Sequence, residues 1–343
     1  MAKHLGSALL LLLLVAFPVL AEKRRAVSPG TGRCVFGVLA EEVFGDQVAL
    51  DATHVYFVNG LDSTVSRVPK SGGALVQLAM LPADNITDIV MDATHVYIAT
   101  IPNDESANTP APGKILAVPK GGGALRTVAT NVIAPLKLDV DGTHVYWASA
   151  GTIRTAEEDV LADGKIERVA KDGSGRQTLA SELSLPFSLL LDGGNVYFGE
   201  LGIAVGNDSA GTRRVPKSGG TVTHLQDDVA PVELAQTATH IVMYGWFAEL
   251  PIISGLFAAP KAVGPALPLE IDLSIFAGPR IANGFAYYVT EDDFGESQLK
   301  RVPVNGGTVA TVRELEVAGA DFEIDECGVY YVDFLYQLTR GGL

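Results

Sequence analysis

The hexapeptide DATHVY stands at Asp51 to Tyr56 and again at Asp92 to Tyr97, and looser copies follow. Aligned on its valine, the unit recurs at Val55, Val96, Val145, Val196, Ile241, Ala286 and Val329, with spacings of 41 to 51 residues. A repeat of this period is a supersecondary unit that buries its faces only against copies of itself. A second marker follows each anchor: RVPKSGG at 67–73, AVPKGGG at 117–123, RVAKDGSG at 168–175, RVPKSGG at 214–220, and weaker forms in the last three units. Its glycines supply the positive φ of a tight hairpin.

Each unit reads as four strands. In the first, VALD is strand A, HVYFVN strand B, TVSRVP strand C and ALVQLA strand D; β-branched and aromatic runs broken by Asp, Gly and Asn fit that assignment. The interval from the lysine position of one unit to the next anchor stays at 24 to 26 residues, whereas the interval from an anchor to its own lysine position runs from 11 to 26. Length variation therefore falls between strands B and C, on one rim. The seventh unit ends at Leu343 without a strand D, and CVFGVLA at Cys34 to Ala40 resembles the missing strand. The expectation is an all-β chain, one propeller over 34–343 with seven four-stranded blades. The ring is closed by the N-terminal strand in the last blade. Six blades is the alternative, because the fifth unit, TATHIVMYGW, lacks the usual Asp.

Residues 1–21 have the form of a secretory signal: Lys3, an apolar run, and VLA at Val19 to Ala21; an uncleaved anchor is the alternative, because Lys23, Arg24 and Arg25 follow directly. Residues 22–33 read as a linker, and the destination as secreted or periplasmic. Loss of Lys3 with the leader leaves 24 Lys and Arg against 40 Asp and Glu, a formal charge of −16. Such a balance excludes nucleic acid and anionic membrane as bulk-charge partners, and no second apolar run is long enough to span a bilayer. A monomer is expected. Cys34 and Cys327, the two cysteines, suggest one disulfide in an oxidising compartment.

HVYFVN, HVYWAS, NVYFGE and VYYVD resemble the YWTD repeat of lipoprotein-receptor propellers and the secreted bacterial propellers of the TolB-like and NHL-like group. The YWTD aspartate is met only by Asp333. The resemblance covers about 34–343. It implies blade architecture and leaves activity open, since the group includes Ca²⁺-dependent lactonases, lyases using a His beside Mg²⁺, and proteins that only bind proteins or glycans.

The repeated histidines His54, His95, His144 and His240 become Asn195, Phe285 and Gly328 in other units and read as structural. His224 stands alone. On the innermost strand, alternation places residues eight and six before each anchor toward the channel. The first set brings Asp88, Lys137, Glu233 and Asp321 to the mouth; the second puts Asp139, Arg280 and Glu323 deeper. These seven are the candidate ligand-binding residues. Asp88, Glu233 and Asp321 are candidate ligands for Ca²⁺ or Mg²⁺, against a solvated channel neutralised by Lys137 and Arg280. The B–C loops PNDESANTPAPG (102–113), TAEEDVLADG (155–164), GNDSAG (206–211) and EDDFGES (291–297) are polar and acidic. Trp147 and Trp246 stand near them. Nucleophile elbows and phosphate loops are absent from the sequence. Asn85 and Asn207 form acceptor sequons.

The first functional expectation is a secreted non-enzymatic propeller. Its acidic B–C and D–A face would bind a protein, peptide or glycan. The alternative is a Ca²⁺- or Mg²⁺-dependent lactonase-like hydrolase or lyase at the channel mouth.

Overall fold

The computed structural model describes residues 36–45, 47–103, 112–154, 159–160, 162–202, 210–247, 253–292, 295–315, 321–332 and 337–343. These form seven four-stranded antiparallel sheets arranged as a ring, a seven-bladed β-propeller. Blade 1 comprises Val48–Leu50, His54–Asn59, Thr64–Pro69 and Val76–Met80, within two residues of the expected strands A to D. The fifth unit forms a full blade from Val229–Gln236, His240–Phe247, Ser254–Pro260 and Leu267–Ile271, which settles seven over six. The last blade consists of Phe322–Asp325, Gly328–Val332 and Leu338–Gly341, with Gly37–Ala40 as its outer strand. That strand runs antiparallel to Leu338–Gly341, pairing Gly37 with Arg340 and Val38 with Thr339. It starts three residues later than expected; Cys34 lies outside the described residues.

The two rims differ as the sequence intervals require. C–D connections span six residues in each of the first six blades, from 70–75 to 304–309. A–B connections span two or three. B–C connections run from four residues (60–63) to fourteen (150–163), and the longest carries its own hairpin, Ile153–Arg154 against Asp159–Val160. In the C–D turns the paired glycines adopt positive φ, as at Gly72 (76°) and Gly73 (136°), conformations a side chain would strain.

Strand B explains the core. Its alternate residues face opposite neighbours. Val55 and Phe57 pack with Tyr330 and Val332 of blade 7, while Tyr56 and Val58 pack with Val96 and Ile98 of blade 2. Both faces are buried, which is why the strand is a continuous apolar run rather than an alternating one. Each such side chain contributes about 1.5–3 kcal/mol on burial.

Polar groups complete each junction on the A–B rim. Asp51 Oδ1 accepts the N–H groups of Thr53 (2.8 Å) and His54 (2.9 Å), and Oδ2 accepts the Tyr56 hydroxyl (2.8 Å). Lys120 of blade 2 then reaches back to Asp51 Oδ2 (3.0 Å) and lies over the Tyr56 ring at 5.3 Å. The same arrangement joins Lys171 to Asp92 and Tyr97, Lys217 to Asp141 and Tyr146, Lys261 to Asp192 and Tyr197, and Lys70 to Asp325 and Tyr330. Five of the seven junctions thus carry one clamp, made by the lysine of each blade with the aspartate and tyrosine of the blade before it. At the junction of blades 5 and 6 its positions hold Thr237, Val242 and Val304; at that of blades 6 and 7 the aspartate position holds Ala282.

Burial raises the carboxyls of Asp51, Asp92 and Asp141, but the N–H donors, the hydroxyl and the lysine outweigh it and hold all three well below the usual range. A lowered carboxyl contributes stability that is complete above the unfolded value, about 3.9, and is lost as pH falls below it. Acid unfolding followed by circular dichroism is therefore expected to begin below about pH 4. Asp92→Ala strands two N–H groups, a hydroxyl and an ammonium, and is expected to cost about 2–3 kcal/mol in urea unfolding with little change in m.

Candidate functional site in the central channel

Strand A of each blade is paired on one side only. Its open edge carries backbone donors and acceptors that require partners. The channel side chains supply them, each reaching to the following blade. Gln47 donates to the Thr87 carbonyl (2.7 Å), and Asp88 accepts from Leu138 N–H (2.7 Å). Asp139 accepts from Leu191 N–H (2.8 Å), and the Ser188 hydroxyl donates to the Pro231 carbonyl (3.2 Å). Glu233 accepts from Gly278 N–H (3.2 Å), and Asp321 from Val48 N–H (2.9 Å). Six of the seven junctions are stitched in this way.

The exception is the step from blade 6 to blade 7, where Arg280 does the joining. Its guanidinium donates Nη1 to Glu233 of blade 5, Nη2 to Asp321 and Nε to Glu323 of blade 7, the last at 2.8 Å. It also lies over the Phe322 ring at 5.4 Å. Across the channel Lys137 pairs with Asp88 at 3.0 Å. Of the seven expected residues, six therefore form two ion-paired groups. Asp139 stands apart, its oxygens taken by the N–H groups of Val140 and Leu191.

Charge balance sets the proton affinities. Burial opposes ionisation at every carboxyl here. At Glu233 the Arg280 and Lys137 cations overcome it, and the carboxyl titrates below its usual value. At Asp321 burial wins, aided by Glu233 and Glu323, and pushes the carboxyl up to about 7. Glu323 is raised for the same reasons. Burial also raises Asp88, and lifts Asp139 to about 6. Burial alone would lower the Lys137 ammonium, but Asp88, Glu233 and Asp321 raise it.

The donor set does not suit a divalent cation. Ca²⁺ requires six to eight oxygens around one point, yet both oxygens of Asp88, Asp139, Glu233 and Asp321 already accept hydrogen bonds. Arg280 sits between Glu233 and Asp321. Among the described residues, no three His, Cys, Asp or Glu side chains are grouped to hold a metal ion.

The Nδ1 atoms of His54, His95, His144 and His240 lie 2.7–2.9 Å from the preceding threonine hydroxyl, on the A–B rim. His224 is exposed, 3.7 Å from Asp227. Trp147 is fully buried, with the Arg176 guanidinium 5.3 Å over its ring, and Trp246 is half-buried. Of the acidic B–C loops, 104–111, 155–158, 161, 206–209 and 293–294 lie outside the described residues. Sequence reasoning did not find the Arg213 network. Fully buried Arg213 pairs with Glu200 (3.1 Å) and Asp227 (2.6 Å) and donates to the carbonyls of Ala210 and Gln226. Nor did it find the lysine clamp, although aspartate and lysine each recur in the repeat.

Arg280→Met leaves three carboxylates without their cation. It is expected to cost about 3 kcal/mol or more at pH 8 and distinctly less at pH 5, where Asp321, whose carboxyl is pushed up to about 7, takes up a proton. Urea unfolding at the two pH values measures the difference.

No protein-family model matches the chain, and no curated protein matches it. Solved structures do. An oligogalacturonate lyase from Vibrio parahaemolyticus aligns with a TM-score of 0.60 at 9% identity, covering 89% of each chain. A chain of a nidogen/laminin complex aligns at 0.54 and 17% identity, covering 77% of this chain and 93% of that one. The PQQ-bound aldose sugar dehydrogenase of Streptomyces coelicolor aligns at 0.50 and 13% identity, covering 81% and 99%. These neighbours include a protein taken from a binding complex and two enzymes, so the likeness they share with this chain is one of β-propeller fold.

Proposed function

We propose that the protein is a secreted or periplasmic, non-enzymatic propeller that binds a protein, peptide or glycan on the rim formed by its B–C and D–A connections. One observation carries this reading. The opposite rim is nearly invariant in length and is occupied by the clamps, whereas the B–C connections range from four residues to fourteen on a rigid ring. Divergent connections on a fixed scaffold are where recognition surfaces are built. The acidic sequences in those connections point to a partner surface with basic or hydroxyl-rich character. The channel contributes less to this reading, because its carboxylates are engaged with Arg280, Lys137 and backbone donors. The nidogen/laminin complex is a precedent for binding by this fold.

Secretion brings a disulfide with it in this reading. Among the described residues no cysteine is free, and Cys327 lies in the A–B turn of blade 7, donating its N–H to Asp325 at 2.7 Å. A bridge from Cys34 to Cys327 would tie the closing strand to the innermost hairpin of its blade. The mature protein is expected to take up alkylating reagent only after reduction.

The binding reading is tested with the mature protein on glycan and peptide arrays, beside a variant whose 150–163 connection is cut to the four-residue length of blade 1. Binding that the shortened variant loses, at an unchanged melting temperature, supports it. Melting with millimolar Ca²⁺ or Mg²⁺ against a chelator is expected to show no shift. A rise of several degrees, the mark of a tightly held ligand, would instead restore the metal-dependent hydrolase or lyase.

A further inference from the structure

Blade 6 is the one blade flanked by two junctions without clamps. Toward blade 5 the aspartate, tyrosine and lysine positions are replaced together by Thr237, Val242 and Val304. Toward blade 7 the aspartate position is Ala282, and Arg340 at the lysine position is buried in the other direction, donating to the Lys70 carbonyl of blade 1 at 3.0 Å. The losses are concerted: where one blade gives up its carboxylate, the next gives up its lysine or turns its cation elsewhere. What spans both junctions is Arg280, on strand A of blade 6, through Glu233 on one side and Asp321 and Glu323 on the other.

We propose that blade 6 is a releasable segment of the ring, latched across both its clamp-free junctions by Arg280 and set by the charge state of the carboxylates around it. Three carboxylates face one guanidinium. The other groups that bear on it are Lys137 with its partner Asp88, across the channel, while the Tyr244 hydroxyl is turned to the Ile275 carbonyl. One negative charge offsets the guanidinium, and the second and third repel the first. Protonation relieves that repulsion in the closed ring, whereas in an opened ring each carboxyl is hydrated and returns to its ordinary value. The closed state therefore holds protons the open state releases, in keeping with the elevated carboxyls of Asp321 and Glu323. Opening is favoured as pH rises through the neutral range, the reverse of the acid sensitivity of the lysine clamps. A space of about 890 Å³ lies between the outer strands of blades 6 and 7, bordered by Ser297, Leu315 and Gly341; Arg313 crosses it to the Gly342 carbonyl at 3.2 Å, and the apolar cluster of Leu299, Leu315, Phe322 and Tyr331 lies beside it, so opening also gives up these contacts.

Hydrogen exchange read by mass spectrometry on the mature protein tests the latch. Protection of the amides in 275–315 is expected to be lower than in blades 2 to 4, and to fall by at least about tenfold from pH 5.5 to 8.0 after correction for intrinsic rates. Glu323→Gln keeps the acceptor for Arg280 Nε and removes one excess charge, so its pH dependence should flatten. Thr237→Asp with Val304→Lys restores the ion pair of a clamp, without its tyrosine, at the junction of blades 5 and 6, and should raise blade 6 protection at pH 8.0 toward that of its neighbours. Equal protection across blades 2 to 6 at both pH values would overturn the proposal. So would a folded double variant, confirmed by its melting curve, that leaves blade 6 exchange unchanged.

Discussion

A lysine ammonium held between the carboxylate and the phenol ring of the preceding blade is the contact on which this ring is organised. A four-stranded blade has two apolar faces and no neighbours of its own, so its stability is borrowed from the blades on either side. Apolar packing between strands such as His54–Asn59 and His95–Pro102 supplies most of the energy. The clamp adds a directional polar contact at five of the seven junctions. Asp51 first shapes its own A–B turn by accepting Thr53 and His54 N–H groups, and only then offers its second oxygen to Tyr56 and Lys120. One carboxylate thereby couples the local conformation of a turn to the placement of the next blade. The hexapeptide is repeated because turn, tyrosine and lysine site must arrive as a unit.

The channel follows a related rule. The inner edge of every blade is an open strand edge, and an unpaired edge is a liability. Seven channel positions that read as a binding constellation are mostly employed in covering it. Asp88, Asp139 and Asp321 accept main-chain N–H groups from the blade ahead, as a sheet neighbour would. The chemistry that makes carboxylates attractive as metal ligands, two acceptor oxygens on a short stem, equally makes them good caps for stranded amides.

The architecture was legible because it is written many times over. Counting back from Val55 places the closing strand in the sequence, and Gly37–Ala40 occupies that place. The alternation on strand A grouped Asp88, Lys137, Glu233 and Asp321, and the ion pairs of Lys137 with Asp88 and of Arg280 with Glu233 and Asp321 lie among them. What alternation cannot convey is reach across the ring. Arg280 and Glu323 belong to the same set of positions, yet Arg280 joins residues of both sets on two neighbouring blades because its stem is long and its guanidinium offers three edges. The clamp left a signal that was present but unused: the loss of aspartate at Thr237 is matched by the loss of lysine at Val304, one unit later. Reading units singly hides a correlation that is offset by a blade. The Arg213 network had no such trace, since the three charges of Glu200, Arg213 and Asp227 occur together in no other unit; Asp333, Lys300 and Glu314 stand at their positions singly or in part.

The direction of the clamp bears on how such a ring can grow. Each of blades 1 to 4 presents a carboxylate forward and a lysine backward, so a tandem copy of one of them would meet a matching group of the clamp on each side. Among blades 1 to 4 the clamps are interchangeable in this sense, although the inner-edge contacts of Gln47, Asp88, Asp139 and Ser188 differ from joint to joint. Blade 6 is not interchangeable: its joints are keyed by Arg280 and by apolar surface, and a copy placed beside it would meet neither its donor nor its acceptor. The molecule thus contains an extensible arc and a single fixed sector, and its ancestry is expected to show repeat gain and loss in the first and not across the second.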